Sequence, residues 1–380
     1  MKIETYTFKT DWNKAFNTSL DSSQTLVLLF SSINSTNSMK AIDTLHTHFP
    51  KSKIIGASSV GNIIKDEIVY DTLSVVIIHF QHTNLKLNTI HIDEHINTYA
   101  AGTSLVEPLI SNELKHLFIL SGGIHIDGTE LARGINSLLP KNVYASGGVA
   151  SDIENDNSWV LSNNSISSKK VVVIGFYGNH IHIGSGCQAG LEKLGLNRRV
   201  TDAKECEILT LDGNPALTLY KKYLGAQAHR LVYENFLFPL AILDEKGNIV
   251  KIRSVIDVDE EKKSLILNDS ITVGTSISLM ATNFNRLVEG AYQAAQQSFS
   301  TLNTKEIDNY LVIPISCIGR KNIMSQRIEE ELFAMMEGLP SHPNVLGFYS
   351  NGEISPIEGY ACTLQNHTMT LTTIYERQDA

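Results

Sequence analysis

Short apolar runs recur along the chain, each leading into an amphipathic stretch and then a glycine-bearing turn. "TLVLLFSS" (25–32), "HLFILSGG" (116–123) and "YLVIPISC" (310–317) are β-type runs ending in small or polar residues. Helix-like stretches follow each: "NSMKAIDTLHTHFP" (37–50), "GTELARGINSLLP" (128–140) and "SQRIEEELFAMMEGLP" (325–340), all stopping at a proline. Next come "GASSVGNI" (56–63), "NVYASGGVASD" (142–152) and "GFYSNGEI" (347–354), and then the β-type runs "TLSVVIIHF" (72–80), "KKVVVIGFYG" (169–178) and "TMTLTTIYE" (368–376). The pattern predicts a β-α-β-loop-β unit used three times. The first and last copies share G-x-x-S-x-G-x-I, and the middle copy rests on the alternation alone.

Between the second and third copies, "LDGNPALTLYKKYLG" (211–225) reads as a turn followed by a helix with Pro215 at its first position. The stretch 238–267 alternates like a strand meander, and 285–299 is an amphipathic helix. The expected fold is therefore α/β, with repeated β-α-β-loop-β modules forming two mixed-sheet domains with flanking helices. The expected division is a lead-in over 1–24, one domain over 25–212 and a second over 213–377, with the seam at the turn residues 211–216.

Composition narrows the function. Thirty-one Lys and Arg against forty Asp and Glu give the 380-residue chain a net charge of −9 with no basic tract, which argues against a nucleic-acid partner. The N-terminus lacks the apolar region of a signal peptide, and the longest apolar runs are too short for membrane insertion. Cys187, Cys206, Cys317 and Cys362 form no CxxC pair, as expected for reduced thiols in a cytoplasmic protein.

Candidate chemistry is sparse. "HIDEH" (91–95) fits a zinc-hydrolase spacing, but the run into it alternates like a strand, which separates the two histidines. His46 with His48 and His180 with His182 are H-x-H pairs without acidic or cysteine ligands nearby, and His125 lies just past a strand end, where α/β proteins bind ligands. Cys317 has Arg320 three residues on but no adjacent histidine, and no phosphate loop is present. What remains is a set of glycine loops carrying Ser58, Asp152, Tyr349 and Glu353, with Arg253 and Arg320 as carboxylate-gripping cations. This kit suits a small polar molecule, against the alternative of a thiol or carboxylate enzyme using Cys317 or Glu353.

The ordered set "IIGASSVGNI", "DGTELARGI" with "ASGGVASD", "LDGNPALTLYKKYLG", "IRSVIDVDEEKKSL", "SCIGR" and "GFYSNGEI" with "LQNHTMTL" resembles the FIST proteins, bacterial sensors with a FIST N-terminal and a FIST C-terminal domain. Asn62 stands where the family usually has an acidic residue. The resemblance implies a non-enzymatic, ligand-binding sensor. The chain leaves no room for an output domain, so the expected partner is a separate histidine kinase or cyclic-dinucleotide enzyme, with a homodimer among the expected assemblies. The favoured ligand by resemblance is haem with nitric oxide, as in the NosP-like members, with His125, His180, His182 and His229 as axial candidates. The alternative is an amino acid or related metabolite, without cofactor. The expected ligand-binding residues are Ser58, Gly61, Gly147, Gly148, Asp152, Arg253, Cys317, Arg320, Tyr349, Gly352, Glu353 and Asn366.

Overall fold

The computed structural model describes every residue except 93–95, 124–125, 153–156, 226–227, 229–237, 301, 303–306, 308, 358–359 and 378–380. A first module contains β1 (Lys2–Phe8), β2 (Thr25–Ser31), α1 (Ser35–His48), β3 (Lys53–Ser58), the hairpin β4 (Asn62–Ile64) and β5 (Glu67–Val69), and β6 (Leu73–His79). A second contains β7 (Asn84–His91), α2 (Thr98–Val106), β8 (Leu114–Ser121), α3 (Gly128–Asn136), β9 (Tyr144–Val149), the hairpin β10 (Val160–Ser162) and β11 (Ser165–Ser167), and β12 (Lys170–Tyr177).

The third module opens with β13 (Ile181–Gln188) and is then interrupted. The insertion holds β14 (Glu192–Lys193), β15 (Arg198–Lys204), β16 (Glu207–Leu211), β17 (Asn214–Pro215), α4 (Ala216–Leu224), β18 (Leu240–Leu243), β19 (Ile249–Arg253), β20 (Val255–Asp259), β21 (Ser264–Leu267) and β22 (Ser276–Ala281). The module resumes with α5 (Phe284–Ser300), β23 (Leu311–Cys317), α6 (Ile318–Met324), α7 (Ile328–Glu337), β24 (Asn344–Ser350), the hairpin β25 (Glu353–Ile357) and β26 (Tyr360–Gln365), and β27 (Met369–Glu376).

The chain is α/β with mixed sheets, and the three modules follow one plan. Their sheets run β1-β6-β2-β3, β7-β12-β8-β9 and β13-β27-β23-β24, and each is completed by a hairpin from another module: β10-β11, β25-β26 and β4-β5 respectively. The middle copy is thus a full module. Matching backbone bonds mark the same place in each: Ser32 N to Thr72 O at 2.9 Å, Gly122 N to Lys170 O at 2.7 Å and Cys317 N to Thr368 O at 3.1 Å. Gly56, Gly147 and Gly347 share one site, where an added Cβ would lie 2.5, 1.8 and 1.8 Å from the carbonyl oxygen of Leu29, Ile119 and Pro314 on the neighbouring strand. Only glycine permits that approach.

The apolar runs are continuous because these strands are buried on both faces. On the outer side, Val27, Leu29 and Ile54 pack with Ala41, Ile42 and Leu45 of α1, and Leu117, Ile119 and Val171 pack with α2 and α3. On the inner side, Leu28, Phe30 and Ile55 join Phe118, Ile174, Ile315, Leu346 and Phe348 in one core shared by all three modules.

Several expectations change locally. "GFYSNGEI" and "GASSVGNI" are strand, tight turn and strand rather than open loops. Pro215 caps α4 instead of starting it, and "IGRKNIM" forms α6 ahead of the expected helix. The turn at 211–216 is present, with Asp212 and Gly213 both at positive φ, and it joins β16 to β17 within the insertion's sheet.

Candidate functional site

The three glycine turns meet at the centre of the modules and spend their polar groups on one another. Ser151 N donates to Ser58 O at 3.1 Å, Tyr349 N to Gly61 O at 3.0 Å, and Val149 N to Gly352 O at 2.8 Å. Val60 N donates to Ser151 Oγ at 3.1 Å, and that hydroxyl donates on to Tyr349 O. Ser58 Oγ accepts from Trp159 N at 2.8 Å. The turn residues Ser58, Gly61 and Gly352 are buried, and Gly148 is closed in by Ile315 and Phe348. The place expected to hold a ligand is therefore a packed joint. Asp152 stands beside 153–156, which lie outside the described residues.

The expected polar contacts of the third module are also internal. Arg320 and Glu331 are fully buried and paired, Nη2 to Oε2 at 2.9 Å and Nε to Oε2 at 3.0 Å, while Arg320 also donates to Ala189 O and Leu287 O. Tyr349 and Ser316 hydroxyls both donate to Glu331 Oε1 at 3.0 Å. This guanidinium is satisfied by the fold and has no fork left for a ligand. Glu353 accepts from Ser350 Oγ at 2.7 Å and Thr368 Oγ1 at 2.8 Å, and burial pushes its carboxyl up to about 8. Cys317 is 5% exposed and burial pushes its thiol upward, away from the thiolate form that a nucleophile uses.

The insertion is clamped onto the modules at several points. Arg253 pairs with Asp269 at 2.6 Å and donates to Thr129 Oγ1 of α3 at 2.8 Å, and Thr129 in turn donates to Asp269. Asn268 Nδ2 donates to Asn366 Oδ1 at 2.7 Å, and Ser254 Oγ lies 2.8 Å from His367 Nε2. Asn366 is thus a clamp residue.

Beside these clamps lies a cleft of about 1620 Å³, bounded by α3, the β25–β26 hairpin, β13 and the insertion. Its described lining carries Lys115, Arg133, Lys141, Lys251 and Arg253 against the single carboxylate Glu130. Arg253 is the one expected ligand contact that the structure places there. Lys251 is half-buried, and its ammonium is held below the usual lysine range by burial and then by Arg253. Tyr144 and Tyr360 stand half-exposed on the walls, and His116 and His182 are part of the polar lining. His116 Nε2 lies 2.8 Å from Ser146 Oγ, and burial lowers its ring to about 3. One local sign of this site is present in the sequence, a Lys-His pair at the head of the apolar run "LFIL".

Of the four histidines considered for haem, His180 and His182 are among the described residues. His125 and His229 lie outside the described residues. His180 stacks on His82 with ring centroids 4.6 Å apart, and His182 is lowered by burial, then by Arg377, His180 and Lys115 around it. An axial histidine needs an apolar slot for the porphyrin, and cations or a second imidazole occupy the surroundings of these two.

No helix among the described residues is long and apolar enough to cross a membrane. No curated protein sequence is similar to the chain. A solved structure of cyanuric acid hydrolase from A. caulinodans aligns over 78% of this chain and all of that one, at 9% identity and a TM-score of 0.19, too low to bear on fold or activity. The model of the FIST N domain matches residues 25–214 and that of the FIST C domain matches 216–356. FIST domains are small-ligand sensor domains of signalling proteins, and with both present across most of its length this chain belongs to the FIST family.

Proposed function

We propose that the protein senses a small organic anion, an amino acid or related carboxylate metabolite, bound in the cleft between the second module and the insertion. The observation that carries this reading is the charge of the cleft: five cations and one carboxylate line it, and with Arg133 paired to Glu130 and Arg253 to Asp269 the excess lies on Lys115, Lys141 and Lys251, in a chain whose net charge is −9. A cationic concavity on an acidic protein concentrates small anions. Lys251 and Lys115 supply the charge, while Arg253 ties the wall to α3. Because the insertion forms one wall, ligand contacts with Lys251 change the load on the Arg253–Asp269–Thr129 clamp. A separate histidine kinase or cyclic-dinucleotide enzyme reads that change.

The test is a thermal-shift and calorimetric screen of organic acids on the wild-type protein and Lys251→Glu. Ligand binding to the native state must raise its melting temperature. Acids that stabilise the wild type and lose most of their affinity in Lys251→Glu support the reading, while equal binding to both proteins sinks it. Haem titration is the counter-experiment: a saturable Soret band abolished by His182→Ala would replace the metabolite with haem.

A further inference from the structure

The repeat supplies an internal control for the floor of the cleft. Strand register makes His116–Tyr144, Leu26–Lys53 and Leu311–Asn344 the same row of the three modules. Two positions on, Ser146 beside Phe118 matches Ile55 beside Leu28, and one strand over, Thr372 beside Ile313 matches Val76 beside Leu28. Leu26, Ile55, Val76, Leu311 and Leu346 all belong to the shared apolar core. Where the second module meets the third, the matched residues are His116, Ser146 and Thr372.

These three form a chain. Thr372 Oγ1 donates to Ser146 Oγ at 2.7 Å, and Ser146 Oγ lies 2.8 Å from His116 Nε2, to which its own proton is then available. All three side chains are almost fully buried, and His116 reaches the cleft lining. With Nε2 accepting, the neutral imidazole carries its proton on Nδ1, for which no described residue provides a hydrogen-bond partner. Burying polar groups where aliphatic side chains suffice in the sister modules costs stability without improving the packing.

We infer that the His116–Ser146–Thr372 row reads an uncharged oxygen acceptor on the ligand, making that ligand an organic acid with a carboxamide, keto or hydroxyl oxygen in addition to its carboxylate. The inference rests on the cleft being the ligand site. The lysines hold the carboxylate at the mouth, and His116 Nδ1–H meets the neutral oxygen at the floor.

Matched pairs of acids test it: glutarate with 2-oxoglutarate, succinate with malate, and norvaline with glutamine. In the wild type the oxygen-bearing member of at least one pair should bind about tenfold tighter, and in His116→Leu/Ser146→Ala/Thr372→Val the two should come within about twofold, by calorimetry. Equal binding in the wild type, or a preference that survives the triple substitution, overturns the inference. A ligand-free measurement guards against a misfolded variant: the triple variant should melt at or above the wild-type temperature, and a lower melting temperature would make the row structural. If no acid binds, the cleft reading fails and this inference with it. If acids bind, weaken with Lys251→Glu and show no preference for the added oxygen, only the inference fails.

Discussion

Two of the three seams between modules are dry and the third is wet. At matched positions the dry seams place Ile55 and Leu346, and the wet one places Ser146, hydrogen-bonded to His116 and Thr372. The backbone plan is the same in all three, so the fold does not require polarity there. Aliphatic side chains satisfy the joint at the other two seams. The comparison teaches that the functional part of a repeat protein shows as a departure from its own repeat. The glycine turns, which are most alike between copies, hold the modules together through backbone hydrogen bonds.

Writing the wet residue into a dry seam should give the largest effect. Leu346→Ser removes a fully packed side chain and buries a hydroxyl, and should cost about 3–5 kcal/mol by urea denaturation. A loss under about 1 kcal/mol would erase the distinction between the seams.

A second contrast pairs Asn62 with Glu353, sister residues that both reach hydroxyls on the last strand side of their module. Glu353 is held by burial at about 8 against an ordinary 4.5. The folded chain keeps this proton between those values while the unfolded chain releases it. Its contribution to stability is full below about pH 4.5 and is lost as pH rises through about 8, with a slope of at most roughly 1.4 kcal/mol per pH unit. Glu353→Gln should flatten that limb in denaturation curves at pH 5 and pH 8, and an unchanged slope would assign it elsewhere.

His116 works in the opposite direction. Burial lowers it to about 3 against an ordinary 6.5, so its share of stability is present above pH 6.5 and lost as pH falls toward 3. His367, lowered to about 4 by burial and then by Arg320, adds a similar loss. His116→Leu should therefore make the protein less acid-sensitive, measured as melting temperature at pH 4 relative to pH 7, while leaving the His367 part in place. The smallest effect belongs to the rim: Tyr360→Ala, at a side chain 53% exposed, should change stability by no more than about 0.5 kcal/mol.

Much of the fold was legible in the sequence because it depends on local pattern. "TLVLLFSS", "YLVIPISC" and "TMTLTTIYE" fall within a residue or so of β2, β23 and β27, and 285–299 matches α5. The exchange of hairpins was not legible, since pairing such as β4 with β24 joins residues almost three hundred positions apart and leaves no periodicity to read. The candidate site was read less well, and for a physical reason. Arg320, Tyr349 and Glu353 look like ligand contacts in a one-dimensional list, but a buried charge looks the same whether a ligand or Glu331 satisfies it. Lys115, Lys251 and His116 carry no local signal because each is an ordinary residue in an ordinary strand, and only tertiary packing brings them to one cleft.

The exchanged hairpins also bear on how the chain comes to be folded. The first sheet lacks its outer strands until residues 160–167 are available, the second until 353–365, while the hairpin at 62–69 has no sheet to join until 344–350 exists. During synthesis the early hairpin must therefore wait, as an unpaired two-stranded ribbon, for nearly the whole chain to emerge. Closure of the ring is then a late, long-range event that joins the oldest part of the chain to the newest, and contacts of such separation fold slowly. A chain stopped short of residue 344 would leave β4 without its partner strand, and the unpaired edge would be a ready template for association with other chains.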